Sequence, residues 1–136
     1  MVAAGRATSP TLGVVTAPSV SAQVFGTNDS QPTRAALRFF KERRVAVHFV
    51  DLRRKPIAAG ELRRFVERLG AMAVADIEGR VWRNAGHAYL RMDEAELVER
   101  LLADQRLLRL PLVRVGNGVA AGRDEAAWKR LLGGPA

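Results

Sequence analysis

The sequence predicts a single α/β domain in which a βαβ unit and a later ββα unit share one four-stranded mixed sheet, with a helical insertion between them. Three observations carry that expectation. Two short apolar runs flank an amphipathic stretch between residues 20 and 50, which is the signature of strand, helix and parallel strand. Two more apolar runs enclose Gly116-Asn117-Gly118, the turn chemistry of a hairpin. A length of 136 residues leaves room for one core of ordinary size and no second one.

Residues 1–21 contain Gly, Ala, Ser and Thr with Pro10 and Pro18, and Arg6 is their only charge, so they read as a flexible tail ahead of a domain over 22–136. A secretory leader needs a basic start and an unbroken apolar stretch, whereas Pro10 and Pro18 bracket only Thr11 to Ala17, with a glycine inside. Disorder, or a start codon placed too early, is the preferred reading of that tail. Val20 to Phe25 reads as the first strand, stopped by the turn formers Gly26-Thr27-Asn28-Asp29. Thr33 to Arg44 then forms a helix with Ala36, Leu37 and Phe40 on its apolar side, and Pro32 suits its first turn because a missing N–H costs nothing there.

Val45 to Val50 is the second strand, apolar enough to be buried on both faces. A helix from Glu61 to Leu69 places Leu62, Phe65, Val66 and Leu69 on one stripe and ends at Gly70. Residues 71–92, interrupted by Gly79 and Gly86, suggest short helical pieces. Asp93-Glu94-Ala95-Glu96 is a capping-box start for a helix carrying Leu97, Val98, Leu101 and Leu102. The hairpin follows Pro111, and Asp124 to Leu132 closes the domain with Trp128, Leu131 and Leu132 facing inward.

The chain has no cysteine, which removes disulfides, thiolate ligands and thiol redox chemistry together. Its net charge of +8 comes from 19 Arg and 3 Lys against 14 acids. Such a balance attracts polyanions, yet Arg with abundant Ala and Val is also what a GC-rich coding bias produces. Charged residues interrupt every apolar run after Gln23 well short of the roughly 18 residues that cross a bilayer, so no membrane partner is expected.

The order βαβ, helices, ββα is the connectivity of the thioredoxin fold. Val24-Phe25-Gly26-Thr27, Ala36 through Arg43, Phe49-Val50-Asp51-Leu52, Trp82-Arg83, Pro111-Leu112-Val113 and Gly122-Arg123 together resemble the ArsC/Spx/MgsR group of arsenate-reductase-like proteins, over roughly residues 22–132. The resemblance implies a reactive cysteine after the first strand, with a second one in some members. Here Ser30 occupies the first position and Thr33 the second. It also implies oxyanion-binding arginines, one of them immediately before the proline of the third strand. This chain has Leu110 there and Arg109 one place earlier, a shift that turns a strand residue to the opposite face. Arg123 matches a second anchor, and Arg80 or Arg83 the third. By the same resemblance Pro111 is held cis, with Leu110 and Pro111 facing Ser30.

The residues themselves set limits. A serine oxygen cannot form a disulfide, and the N-terminus of the first helix favours an anion, but the simplest role for Asp29 or Ser30 is the helix N-cap. His48 and His87 lack a partner at ligand spacing and read as structural, so no metal or other cofactor is expected. Ser30, His48 and Asp51 contain the residue types of a hydrolase triad without its Gly-x-Ser-x-Gly elbow. Arg53, Arg54, Lys55, Arg63 and Arg64 form a basic group without interleaved aromatics, Tyr89 being the only tyrosine, so a solvated face is favoured over a specific nucleic-acid site. Trp82 and Trp128 are core candidates.

The expected function is a cytoplasmic, noncatalytic binding or regulatory module. Its partner is a protein, as RNA polymerase is for Spx-type relatives, and a small oxyanion is a further candidate ligand. The alternative is a glutathione- or glutaredoxin-linked oxidoreductase of the arsenate-reductase type, which requires Ser30 to replace a native cysteine.

Overall fold

A computed structural model describes residues 21–133, so the expectations for residues 1–20 and for the last three residues lie outside it. The described chain runs β1 (Ser21–Gly26), α1 (Gln31–Glu42), β2 (Ala46–Asp51), α2 (Ala59–Leu69), α3 (Ala71–Val74), α4 (Arg80–Asn84), a 3-10 turn (Ala88–Arg91), α5 (Glu94–Ala103), a second 3-10 turn (Gln105–Leu107), β3 (Leu112–Val115), β4 (Gly118–Ala121) and α6 (Glu125–Gly133). The four strands form one sheet in the order β2-β1-β3-β4. β1 pairs parallel with β2 from Ser21 opposite Ala46 to Gly26 opposite Asp51, and antiparallel with β3 through Gln23 opposite Arg114 and Phe25 opposite Leu112. This is the mixed sheet expected of a thioredoxin-like fold, with the helical insertion between its halves.

Alternation along β1 divides the core in two. Ala22 and Val24 face α1 and α6, where Ala36, Phe39, Phe40, Ala127 and Trp128 are buried against Val113 and Ala120. The Trp128 ring lies 5.3 Å from that of Phe39 and 6.1 Å from that of Phe40. Phe25 faces the other way and meets the Phe65 ring edge-on at 5.7 Å, in a cluster with Leu62, Trp82, Leu97, Leu101 and Leu112.

Local chemistry accounts for most boundaries. Ser30 accepts a hydrogen bond from the Thr33 N–H at 3.3 Å and starts α1 two residues before the expected Thr33, with Pro32 in the first turn. The chain reverses after α1 at Arg44, whose φ is +58°. Asp93 and Glu96 form the reciprocal capping box at the start of α5, with N–H to carboxylate distances of 2.8 and 3.1 Å. The hairpin turns on Gly116 at φ +59°, a left-handed conformation that glycine reaches without a Cβ penalty.

One expectation is corrected. β2 is an edge strand, with Ala46 and His48 exposed and Val47, Phe49 and Val50 half-buried, rather than a strand covered on both faces. The helix that follows it, α2, packs against β4 at the opposite edge of the sheet and so leaves the outer margin of β2 bare among the described residues. An apolar run of this length is compatible with either position.

Candidate functional site

The site grows from the loop between β1 and α1. The Ser30 N–H returns to the Thr27 carbonyl at 3.1 Å, and the Leu52 N–H bonds the Gly26 carbonyl at 2.9 Å, which fixes the ends of β1 and β2 beside each other. A Cβ on Gly26 would lie 2.3 Å from Thr33 Oγ1, so the absence of a side chain lets the first turn of α1 sit directly on the strand end. Thr33 is fully buried and its hydroxyl finds no protein partner. Arg34 reaches back to the Asn28 carbonyl at 2.8 Å and ties the loop to the helix.

Across from this loop the chain enters β3 through a cis Leu110–Pro111 peptide, and the Pro111 carbonyl accepts the Gly122 N–H at 2.9 Å. Between the two segments lies a cleft of about 330 Å³ with Leu52 and Leu110 as apolar wall and Thr27, Asp29, Arg53, Gln105 and Arg106 as polar rim.

The rim is largely self-neutralised. Arg53 is ion-paired with Asp29. The Thr27 hydroxyl is the main reason that the Asp29 carboxyl sits below its ordinary value of 3.8; slight burial opposes it, and Arg53, the backbone N–H and Arg34 add to the lowering. The Asp104 carboxylate accepts from the Arg106 backbone N–H and from Nε and Nη2 at 3.0, 2.9 and 2.7 Å. That fork lowers the Asp104 pKa against a smaller effect of burial, and raises that of Arg106. Gln105 is fully used: its Oε1 accepts the Ile57 N–H at 2.9 Å, and its amide donates to the Leu101 and Leu102 carbonyls at 3.3 and 3.4 Å.

None of the arginines singled out from sequence as oxyanion anchors lines this cleft. Arg109 crosses to the insertion, where Nε and Nη2 donate to the Ala73 and Ala75 carbonyls at 3.2 and 3.4 Å. Leu110, its neighbour, lines the cleft in its place. Arg123 is exposed with Glu125 at 3.9 Å, and Arg83 donates to the Glu78 carbonyl at 2.7 Å on α4. Arg80 is exposed on that same helix. His48 is exposed on the outer strand, and His87 is exposed on the insertion in a left-handed conformation at φ +56°. Neither histidine lines the cleft, and Ser30 itself is not among its lining residues; its hydroxyl caps α1 instead. Among the described residues no group of three or more His, Asp or Glu side chains is placed to hold a metal ion.

Sequence reasoning missed Gln105 and Arg106 as rim residues and treated Arg53 only as part of a basic group. Asp104 followed two residues later by Arg106 is a legible local pair. The pairing of Arg53 with Asp29 across 24 residues has no local signal.

A model of the ArsC family matches residues 25–131. No curated protein matches the chain. Among solved structures, the chain resembles the YffB protein at 23% identity and a TM-score of 0.75, with 82% of this chain and 98% of that one covered. An ArsC family related protein from Bacteroides fragilis superposes at 17% identity and a TM-score of 0.73, covering 81% and 96%. The arsenate reductase from Vibrio cholerae does so at 15% identity and 0.72, covering 82% and 98%. At these identities the structural likeness carries the fold, and the family match over most of the length carries the membership: the chain belongs to the ArsC family.

Proposed function

We propose that this protein is a noncatalytic binding or regulatory module built on the ArsC scaffold, acting in the cytoplasm on a protein partner as Spx-type relatives act on RNA polymerase. The observation that supports this reading most is the chemistry at position 30. The chain contains no cysteine, and the Ser30 hydroxyl accepts the Thr33 backbone N–H as helix cap. The rim adds to it, because Arg53 and Arg106 already pair with Asp29 and Asp104 and leave little uncompensated positive charge for an oxyanion. That Thr33 is buried and that none of Arg83, Arg109 and Arg123 lines the cleft also supports this reading.

The test compares the protein with Ser30→Cys in glutathione-dependent arsenate reduction, alongside calorimetric titration with arsenate. The expected result is no turnover by the serine form and no measurable heat of arsenate binding. A pull-down from the host should retain a protein partner, and its capture should survive nuclease treatment, unlike capture through nucleic acid. Arsenate bound by the unsubstituted protein and efficient turnover by Ser30→Cys would instead favour the second reading, a glutathione- or glutaredoxin-linked arsenate-reductase-type oxidoreductase. Family membership supports that alternative, and a cysteine codon at position 30 of the gene would establish its premise.

A further inference from the structure

The outer edge of β2 is unpaired among the described residues, since β2 stands at one margin of the sheet and its register is with β1. Soluble proteins blunt such edges with lysine, proline, a bulge or an inward charge. Ala46-Val47-His48-Phe49-Val50 carries no lysine, no proline and no acidic residue. Two open depressions follow the edge, one of about 500 Å³ at its start beside Leu37 and Val45, and one of about 510 Å³ at its end beside His48 and Phe49.

Basic charge stands at both ends, and Asp51, the last residue of β2, adds a half-buried carboxylate to the lining of the second depression. Lys41 and Arg44 line the first depression, and Arg54 and Lys55 the second, all four exposed. Only Arg54 has a carboxylate near it, Asp51 at 4.0 Å; Lys41, Arg44 and Lys55 take part in no ion pair among the described residues.

We propose that the β2 edge is a docking strand that captures an extended segment of a partner protein bearing acidic residues at both ends. The backbone groups on the outer edge of β2, unpaired among the described residues, supply the hydrogen bonds of an added strand, alternate side chains of the guest pack over Val47 and Phe49, and the basic pairs at either end fix its position. The same charges argue against a second copy of this chain. Antiparallel pairing of two β2 edges sets Lys41 and Arg44 of one against Arg54 and Lys55 of the other, and parallel pairing sets each basic end against its like. This surface is separate from the cleft beside Leu110, and its role stands whether or not that cleft is catalytic.

The test uses the full chain, isotope-labelled, and a synthetic peptide of alternating valine and threonine with acidic residues at both ends. Binding is expected to slow hydrogen exchange at amides of residues 46–51. A peptide with basic ends, and the acidic peptide N-methylated at alternate residues, should bind at least about tenfold more weakly, because one loses the charge match and the other cannot pair as a strand. The double substitution Lys41→Glu with Lys55→Glu, on exposed side chains, should weaken the acidic peptide by a similar factor while leaving the rest of the spectrum in place. Equal binding of either control peptide, protection that appears elsewhere, no binding at all, or a concentration-dependent dimer by sedimentation would overturn the proposal.

Discussion

The two faces of the sheet each bury a tryptophan, and they use it differently. On the α1/α6 face, Trp128 is fully buried among Phe39, Phe40, Val24 and Val113, and its indole N–H finds no protein acceptor. On the insertion face, Trp82 is equally enclosed, but its N–H donates at 3.2 Å to the Leu107 carbonyl, which also accepts the Asp76 N–H at 2.8 Å. Arg114 also lies on this side of the sheet, with Gln23 and Glu61 as partners, and Glu61 is 3.3 Å away. On the first face the tryptophan is held by packing, with no hydrogen bond from its indole among the described residues. The second adds directional bonds, and Leu107 ends the 3-10 turn that carries Gln105 and Arg106 to the cleft. The Gln105 and Arg106 side of the cleft is therefore carried by the face with polar ties, and its Thr27 and Asp29 side by the loop that leads into α1.

Substitution of either tryptophan by alanine tests the shared part of that comparison, and each should cost about 3–5 kcal/mol in denaturant unfolding. Phenylalanine separates the faces. Trp82→Phe should cost about 1 kcal/mol more than Trp128→Phe, because only the former gives up a hydrogen bond. Equal costs would mean that the Leu107 contact contributes nothing.

The next largest effect is expected at Gly26. Adding a methyl group against Thr33 should destabilise Gly26→Ala by about 1–3 kcal/mol, and Thr33→Ala in the same chain should recover part of that loss in a double-mutant cycle. Additive costs would show that the strand end and the first turn of α1 are not in contact. Ser30→Ala should cost about 1 kcal/mol through loss of the cap, measured by thermal unfolding. A neutral result would free the hydroxyl from its structural role and reopen the question of a chemical one.

The smallest effect concerns pH. Because the folded-state pKa of Asp29 lies below its ordinary 3.8, the carboxylate favours the folded state above that value, and its contribution fades as pH falls through the lowered one. Thr27→Val should raise the Asp29 pKa observed by NMR titration and lessen the acid dependence of stability. Asp104 should behave in the same direction, with Arg106→Gln as the corresponding substitution.

Much of the architecture was readable from local pattern. The apolar stripe of α2, the capping box at Asp93 and the glycine turn at Gly116 depend on neighbours within a few residues, so their signals survive in one dimension. Ser30 as a helix cap was among the two readings left open there, and the structure chooses it over Asp29, whose carboxylate goes to Arg53. The edge position of β2 was not readable, because burial of an apolar run depends on where the following helix packs, and α2 lies over β4. The five residues of the basic group around Arg53 are all exposed, as a solvated face requires, but the pairing of Arg53 with Asp29 at the cleft rim was not readable.

By itself, then, the sequence determined the order of strands and helices, the connectivity they imply, and the absence of any thiol, since each of these follows from residue type and short-range spacing. Only the tertiary structure decided that Leu110 rather than Arg109 lines the cleft, that Arg83 and Arg123 stand apart from it, and that Arg53 and Arg106 hold their own carboxylates. Those outcomes depend on which way a side chain leaves the backbone and on which distant segment it meets, and both are settled only when the sheet and the insertion pack together.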